Sequence, residues 1–163
     1  MSGKKLLRFT LNGRPVEVAV KPSRTLVEVL REDLGHTGTK RACNSGACCS
    51  CTVLVDGNPV SSCSVLALQV EGQEVTTIEG IADGPKLHPL QEAFLDRGGF
   101  QCGFCTSGMV LVAKAFLDEN PTPSRADIRE AISGNLCRCT GYKKIVDAIE
   151  DVAGEPGRVG RRS

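Results

Sequence analysis

Residues 43–51 read Cys43-Asn44-Ser45-Gly46-Ala47-Cys48-Cys49-Ser50-Cys51, and Cys63 follows further on. Taken through Cys43, Cys48 and Cys51 the run is C-x4-C-x2-C, the plant-type spacing that holds a 2Fe-2S rhomb. Cys49 in place of Cys48 gives C-x5-C-x-C, so Cys48 is assigned as the ligand and Cys49 as a spectator thiol. Two thiolates must reach each iron, so the chain has to wrap one side of an inorganic core with little bulk between ligands. Gly38, Ala42, Gly46 and Ala47 meet that demand, the glycines also offering positive φ. Backbone N–H groups of such a loop are expected to point at sulfur, as oriented amides do in anion-binding nests. Lys40 and Arg41 bring cationic charge to the same place.

A second set begins with Gln101-Cys102-Gly103-Phe104-Cys105 and is completed far along the chain by Cys137-Arg138-Cys139. Neither half is telling alone, but together they make a second four-cysteine site. Gly134-Asn135 before the later half and Thr140-Gly141 after it predict a loop between helices. Eight of the nine cysteines are thereby divided into two sets, and the chain is expected to carry electrons.

The 163 residues allow one domain or two small ones, each small one marginal without added cross-links. Two clusters are such cross-links. Aromatic residues make up 4% with no Trp, so Leu, Val, Ile and Ala must fill the core. Lys plus Arg number 20 and Asp plus Glu 19, a balance with no basic stripe that would track nucleic acid. No apolar run approaches the roughly 18 residues of a membrane span, so direct membrane insertion is not expected. The opening Met1-Ser2-Gly3-Lys4-Lys5-Leu6-Leu7-Arg8 enters a strand pattern without a long apolar leader or twin arginine. A cytoplasmic protein is expected, where a cysteine-rich pattern points to metal rather than to disulfides.

Leu7, Phe9 and Leu11 alternate with polar residues, Asn12-Gly13 supplies a turn, and Val16, Val18 and Val20 alternate again, which predicts a β-hairpin. Leu26, Val27 and Leu30 predict a short helix with Ser23 or Thr25 as its cap. A second hairpin turns at Asp56-Gly57-Asn58, and a further strand is expected over 75–78. After residues 80–85 helical periodicity takes over: one helix around Leu90 and Phe94 ends at Gly98-Gly99, and a strongly apolar one over 109–117 stops at Asn120-Pro121. Ser124 with Asp127 predicts a capping box. A last helix through Ile145, Val146 and Ile149 is expected to be capped by Thr140. The division expected is 1–80 for one cluster, 86–153 for the other, and a Gly/Arg-rich mobile or docking tail over 154–163.

With both sets in hand the sequence resembles, over nearly its whole length, the small iron-sulfur subunit of the molybdenum hydroxylases, the xanthine oxidase and carbon monoxide dehydrogenase family. The motifs Thr39-Lys40-Arg41 with Cys43, Cys51-Thr52-Val53-Leu54-Val55-Asp56-Gly57, Gln101-Cys102-Gly103-Phe104-Cys105 and Asn135-Leu136-Cys137-Arg138-Cys139-Thr140-Gly141-Tyr142 carry it. The resemblance implies an α+β protein: a ferredoxin-like β-grasp domain, then a four-helix bundle, each with one 2Fe-2S cluster. It implies that Cys102, Cys105, Cys137 and Cys139 hold the cluster nearest the molybdopterin of a large subunit, and that Gln101 and Cys139 touch the pterin through backbone groups. Cys43, Cys48, Cys51 and Cys63 would hold the outer cluster, facing the FAD of a medium subunit, in a dimer of heterotrimers. Electrons would then pass singly from molybdenum toward FAD, and substrate chemistry would lie on another chain of the oxidoreductase. Two positions depart from the family pattern. Cys49 stands where glycine is usual, which strains that turn or offers a second thiolate, and Ser107 replaces the usual proline, where it could cap the helix at Met109.

Other readings compete. Zinc takes four-cysteine sites too, often as paired C-x2-C knuckles, but the first set is not built that way. A dithiol site at Cys102 and Cys105 would want a β-α-β context that this stretch lacks. A Rieske-type centre needs two histidines, and His36 and His88 read instead as surface or capping residues, both sets being complete in cysteine. The chain carries no acid, base or nucleophile constellation of its own, so no catalytic residue is assigned. A stand-alone ferredoxin-like electron shuttle is the alternative function, and a zinc-stabilised interaction module a third.

Overall fold

The computed structural model describes residues 3–153 of the chain; the expected tail over 154–163 lies outside them. Strand β1 (Lys5–Leu11) turns through Asn12 and Gly13, both at positive φ, into β2 (Arg14–Val20) with Lys5 opposite Val20. That Asn-Gly turn has the left-handed backbone that matches strand twist in a two-residue hairpin. A second hairpin, β3 (Thr52–Val55) with β4 (Asn58–Ser61), turns at Asp56-Gly57 in the same way. Strand β5 (Glu74–Thr76) lies between them, parallel to β1 and antiparallel to β3, giving the order β2-β1-β5-β3-β4. The expected strand over 75–78 is thus shifted and shorter. Thr77 leaves the ladder because the Asn12 side chain takes it, accepting from the Thr77 N–H at 2.8 Å, and a 3-10 turn follows at Ile78–Gly80.

Helix α1 (Leu26–Glu28) continues as a π-helical stretch over Val29–Asp33. Thr25 is its N-cap and Glu28 accepts from the Thr25 N–H at 2.9 Å. Leu26, Val29 and Leu30 pack on Leu7, Phe9, Leu11, Val53 and Val75 of the sheet. Each such fully buried aliphatic side chain contributes about 1.5–3 kcal/mol, which compensates for the scarcity of aromatics.

The second half is helical. His88 opens α2 (Pro89–Arg97) as its N-cap, its Nδ1 accepting from the Leu90 N–H at 3.2 Å, and Gly98 closes it in the left-handed conformation. Helix α3 (Thr106–Glu119) is apolar on two sides for two reasons: Met109, Val110, Ala113 and Leu117 enter the core shared with α2, α4 (Arg125–Ala131) and α5 (Lys143–Val152), whereas Leu111 and Ala115 pack on Leu54 of the sheet. Its apolar face is therefore core. Ser124 caps α4 in a box with Asp127, as expected. Arg125 ties α4 to α5 through Asp147 at 2.6 Å. The sheet with its helix, then four packed helices, is the α+β architecture the sequence implies.

Two caps differ from expectation. Helix α5 starts after Tyr142, not Thr140, because Gly141 and Tyr142 both sit at positive φ and reverse the chain there. Thr140 turns its hydroxyl to the Cys137 sulfur at 3.1 Å and accepts from the Tyr142 N–H at 3.2 Å. Helix α3 starts at Thr106 with Cys105 as N-cap, so Ser107 lies inside the first turn rather than capping it. Its hydroxyl is buried and has no hydrogen-bond partner among the described residues.

Candidate metal centres

Each cysteine set occupies loops at the ends of regular elements. Cys43 and Cys48 lie between the π-helical stretch and β3, Cys51 abuts β3, and Cys63 follows β4. Cys102 and Cys105 lie between α2 and α3, and Cys137 and Cys139 between α4 and α5. The fold thus brings Cys137 and Cys139 to Cys102 and Cys105 as the sequence anticipates.

Within each set the thiols meet in pairs. The Cys102 and Cys139 sulfurs are 3.6 Å apart, and Cys105 neighbours Cys137. In the first set Cys43 neighbours Cys48, and Cys51 packs with Cys63. A 2Fe-2S rhomb asks for two thiolates on each iron, whereas a structural zinc would draw four sulfurs around one point. The donor set fits the rhomb.

The loop amides behave as expected. The Ser45 N–H donates to the Cys43 sulfur at 3.4 Å and the Gly46 N–H to the Cys63 sulfur at 3.3 Å. The Ser45 amide, followed by hydrogen bonds from Cys48, brings the exposed Cys43 thiol down to about 6. Burial pushes Cys51 up to about 11 and Cys105 up to about 12, the latter helped by its bond to Cys137. Burial also acts upward on Cys137, but the Thr140 hydroxyl and N–H outweigh it and hold that thiol below its ordinary value. The hydrogen bond with Cys102 raises Cys139. Metal ligation takes such thiols as thiolates.

Cys49 takes the left-handed conformation at φ 53°, the strain expected of a side chain in a glycine's place. Its sulfur turns toward Ser61 Oγ at 3.4 Å and the Gly46 carbonyl at 3.7 Å. Its own carbonyl accepts from Asn135 Nδ2 at 3.1 Å, a contact across 86 positions that sequence reasoning missed. The neighbouring Cys48 carbonyl accepts from the Leu136 N–H at 3.1 Å. The loops of the two sets are therefore bonded directly to each other. Lys40 and Arg41 are held by local partners, Lys40 by the Thr37 carbonyl at 2.8 Å and Arg41 by Glu28 and Glu32 at 3.5 and 3.6 Å.

Gln101 and Cys139 are joined, Gln101 Nε2 donating to the Cys139 carbonyl at 3.0 Å. Both are exposed, as is Cys102, and beside them Phe104 and Leu136 leave 43% and 55% of their surface open. His36 contacts Glu79 and His88 caps α2, so neither belongs to a cysteine set.

Residues 9–78 match the family model described as a 2Fe-2S iron-sulfur cluster binding domain, and residues 77–150 match that described as a 2Fe-2S binding domain. The chain is 46% identical over 146 residues to the nicotinate dehydrogenase small FeS subunit of Eubacterium barkeri, covering 90% of this chain and 93% of that one. It is 46% identical over 153 residues to the nicotine 6-hydroxylase small subunit of Paenarthrobacter nicotinovorans, covering 94% and 90%. Among solved structures, quinoline 2-oxidoreductase from Pseudomonas putida 86 superposes with a TM-score of 0.91 at 50% identity, over 93% of this chain and 94% of that chain. Aldehyde oxidoreductase from Desulfovibrio gigas superposes with a TM-score of 0.87 at 43% identity over 91% of this chain, but the match takes up 17% of that longer chain. Two sets of gathered thiols, two matching cluster-binding models and near-complete coverage of the two small subunits and the quinoline 2-oxidoreductase chain agree: the chain belongs to the small iron-sulfur subunits of the molybdenum hydroxylases.

Proposed function

We propose that Cys43, Cys48, Cys51 and Cys63 hold one 2Fe-2S cluster and Cys102, Cys105, Cys137 and Cys139 the other, in two cluster-binding domains spanning 1–80 and 86–153. The observation that carries the reading is the pairing of sulfurs, with Cys102 and Cys139 at 3.6 Å. When bound, the two clusters supply a one-electron relay between the molybdopterin of a large partner subunit and the FAD of a medium one.

The chain's own residues set the conditions for that relay. The Ser45 and Gly46 amides and the Thr140 hydroxyl are placed to spread negative charge from sulfur. Burial of Cys51 and Cys63 keeps water from that side of the first set. Gln101 donates its side-chain amide to the Cys139 carbonyl, which ties together the two residues proposed to meet the pterin through backbone groups. Phe104 and Leu136, apolar and open beside it, suit burial under the large subunit. The exposed Cys43 is proposed to mark the side that meets the flavin subunit.

The complex is proposed to be a dimer of heterotrimers in the cytoplasm; no helix of the described residues is long and apolar enough to cross a membrane. The chain is the electron-transfer subunit of an oxidoreductase, and substrate chemistry belongs to its partners. A stand-alone shuttle is not favoured, because relatives of nearly the same length are themselves named subunits. Purification from the native source tests the assembly: co-elution at fixed stoichiometry with a large molybdopterin chain and a flavin chain is expected. A monodisperse free chain active as a shuttle contradicts it.

A further inference from the structure

Tyr142, the chain's one tyrosine, has a backbone conformation that invites a functional reason. It lies at φ 67° directly after Gly141 at φ 63°, a pair of left-handed residues that a bulky side chain ordinarily avoids. Such an outlier persists when its surroundings over-determine it. Here they do: the phenol oxygen accepts from the Cys137 N–H at 2.8 Å and its hydroxyl donates to the Asn135 carbonyl at 3.0 Å. One side chain thus fixes both ends of the three-residue turn Asn135-Leu136-Cys137.

That turn is also where the two cysteine loops meet. Asn135 is buried, 2% exposed, and its amide donates to the Cys49 carbonyl. The Leu136 N–H donates to the Cys48 carbonyl, and the next residue is the ligand candidate Cys137. From Cys48 of one set to Cys137 of the other, the route runs through one hydrogen bond and the backbone of Leu136. Electron tunnelling falls steeply with separation, so whatever fixes this turn fixes the distance between the two centres.

We infer that Tyr142 is a positioning residue for electron passage: its hydroxyl locks the Asn135-Leu136-Cys137 turn, which in turn holds the Cys48–Cys49 backbone at a set separation from the second cysteine set. The inference rests on the two-cluster reading above. Removing the hydroxyl leaves the Cys137 N–H and the Asn135 carbonyl without this partner, while the ring keeps its packing against the helical core.

The test is Tyr142→Phe in the full chain carrying both clusters. Iron and sulfide content are expected to stay as in the wild type. Hydrogen–deuterium exchange at the Leu136 amide should speed up roughly five- to tenfold, the scale of a lost hydrogen bond. The magnetic interaction between the two reduced centres, read by electron paramagnetic resonance, should weaken. Val20→Ala, a core change in β2 within the sheet cluster, which contains no residue of either cysteine set, serves as the control and should leave both readouts alone. Should Tyr142→Phe lose its clusters, Asn135→Ser replaces it; that variant removes only the amide bond to Cys49 and is expected to speed the same exchange. Exchange and magnetic interaction indistinguishable from the control overturn the inference. A wild-type chain lacking two centres overturns the function proposed above instead.

Discussion

Gly108, in the first turn of α3, lies so close to the backbone of the first cysteine loop that a Cβ there would stand 2.4 Å from the Cys49 carbonyl. The same carbonyl accepts from Asn135, so two segments of the helical half close on one peptide of the ferredoxin-like half. The obstacle is backbone, which cannot swing aside as the end of a long side chain could.

Gly108→Ala should therefore push α3 off the cysteine loop. Overpacking of this kind costs about 2 kcal/mol. Thermal unfolding of the cluster-loaded chain should show the loss, together with an altered resonance signal from the first cluster. An unchanged midpoint and signal would mean the interface is softer than described.

Cys48 and Cys49 separate cleanly by mutation. Cys48→Ser removes a proposed ligand and should damage the outer cluster's paramagnetic signal, whereas Cys49→Ser should leave it nearly intact, its thiol being turned to Ser61 and the Gly46 carbonyl. Cys49→Gly should go further and raise stability by about 1 kcal/mol, because glycine adopts the left-handed conformation without a Cβ clash. The reverse order of signal loss would shift the ligand register by one residue.

His88 gives the fold a pH dependence away from the clusters. Burial, then the nearby Lys114 charge, lowers its pKa to about 4 from the ordinary 6.5, and its Nδ1 must stay unprotonated to cap α2. The unfolded chain takes up the proton first. Stability from this group is thus fully present above about pH 6.5 and is lost as pH falls toward the folded value. Melting temperatures of wild type and His88→Ser, which keeps a capping oxygen without a titrating ring, should converge in slope above pH 7 and diverge between pH 6 and 4. Equal slopes throughout would remove His88 as the cause.

Much of this was legible in the residues because it is local or carried by spacing. Asn12-Gly13 and Asp56-Gly57 announce their hairpins and Ser124 and Asp127 their cap without long-range information, and C-x4-C-x2-C is enough to propose its ligands. What escaped depends on partners far away in sequence. Thr77 leaves its strand because Asn12, 65 positions earlier, takes its amide. Thr140 looks like a helix cap until the Cys137 sulfur is seen to claim its hydroxyl. The contacts of Asn135 and Leu136 with Cys49 and Cys48 join loops that no periodicity links. Which thiols pair within each set is likewise a property of the assembled loops and not of their spacing.

The account depends most on eight sulfurs gripping two iron pairs. Anaerobically purified chain should contain about four iron and four acid-labile sulfide, and reduction should bring up two distinct 2Fe-2S resonance signals. One signal with half that iron, or a colourless protein holding zinc, would contradict it.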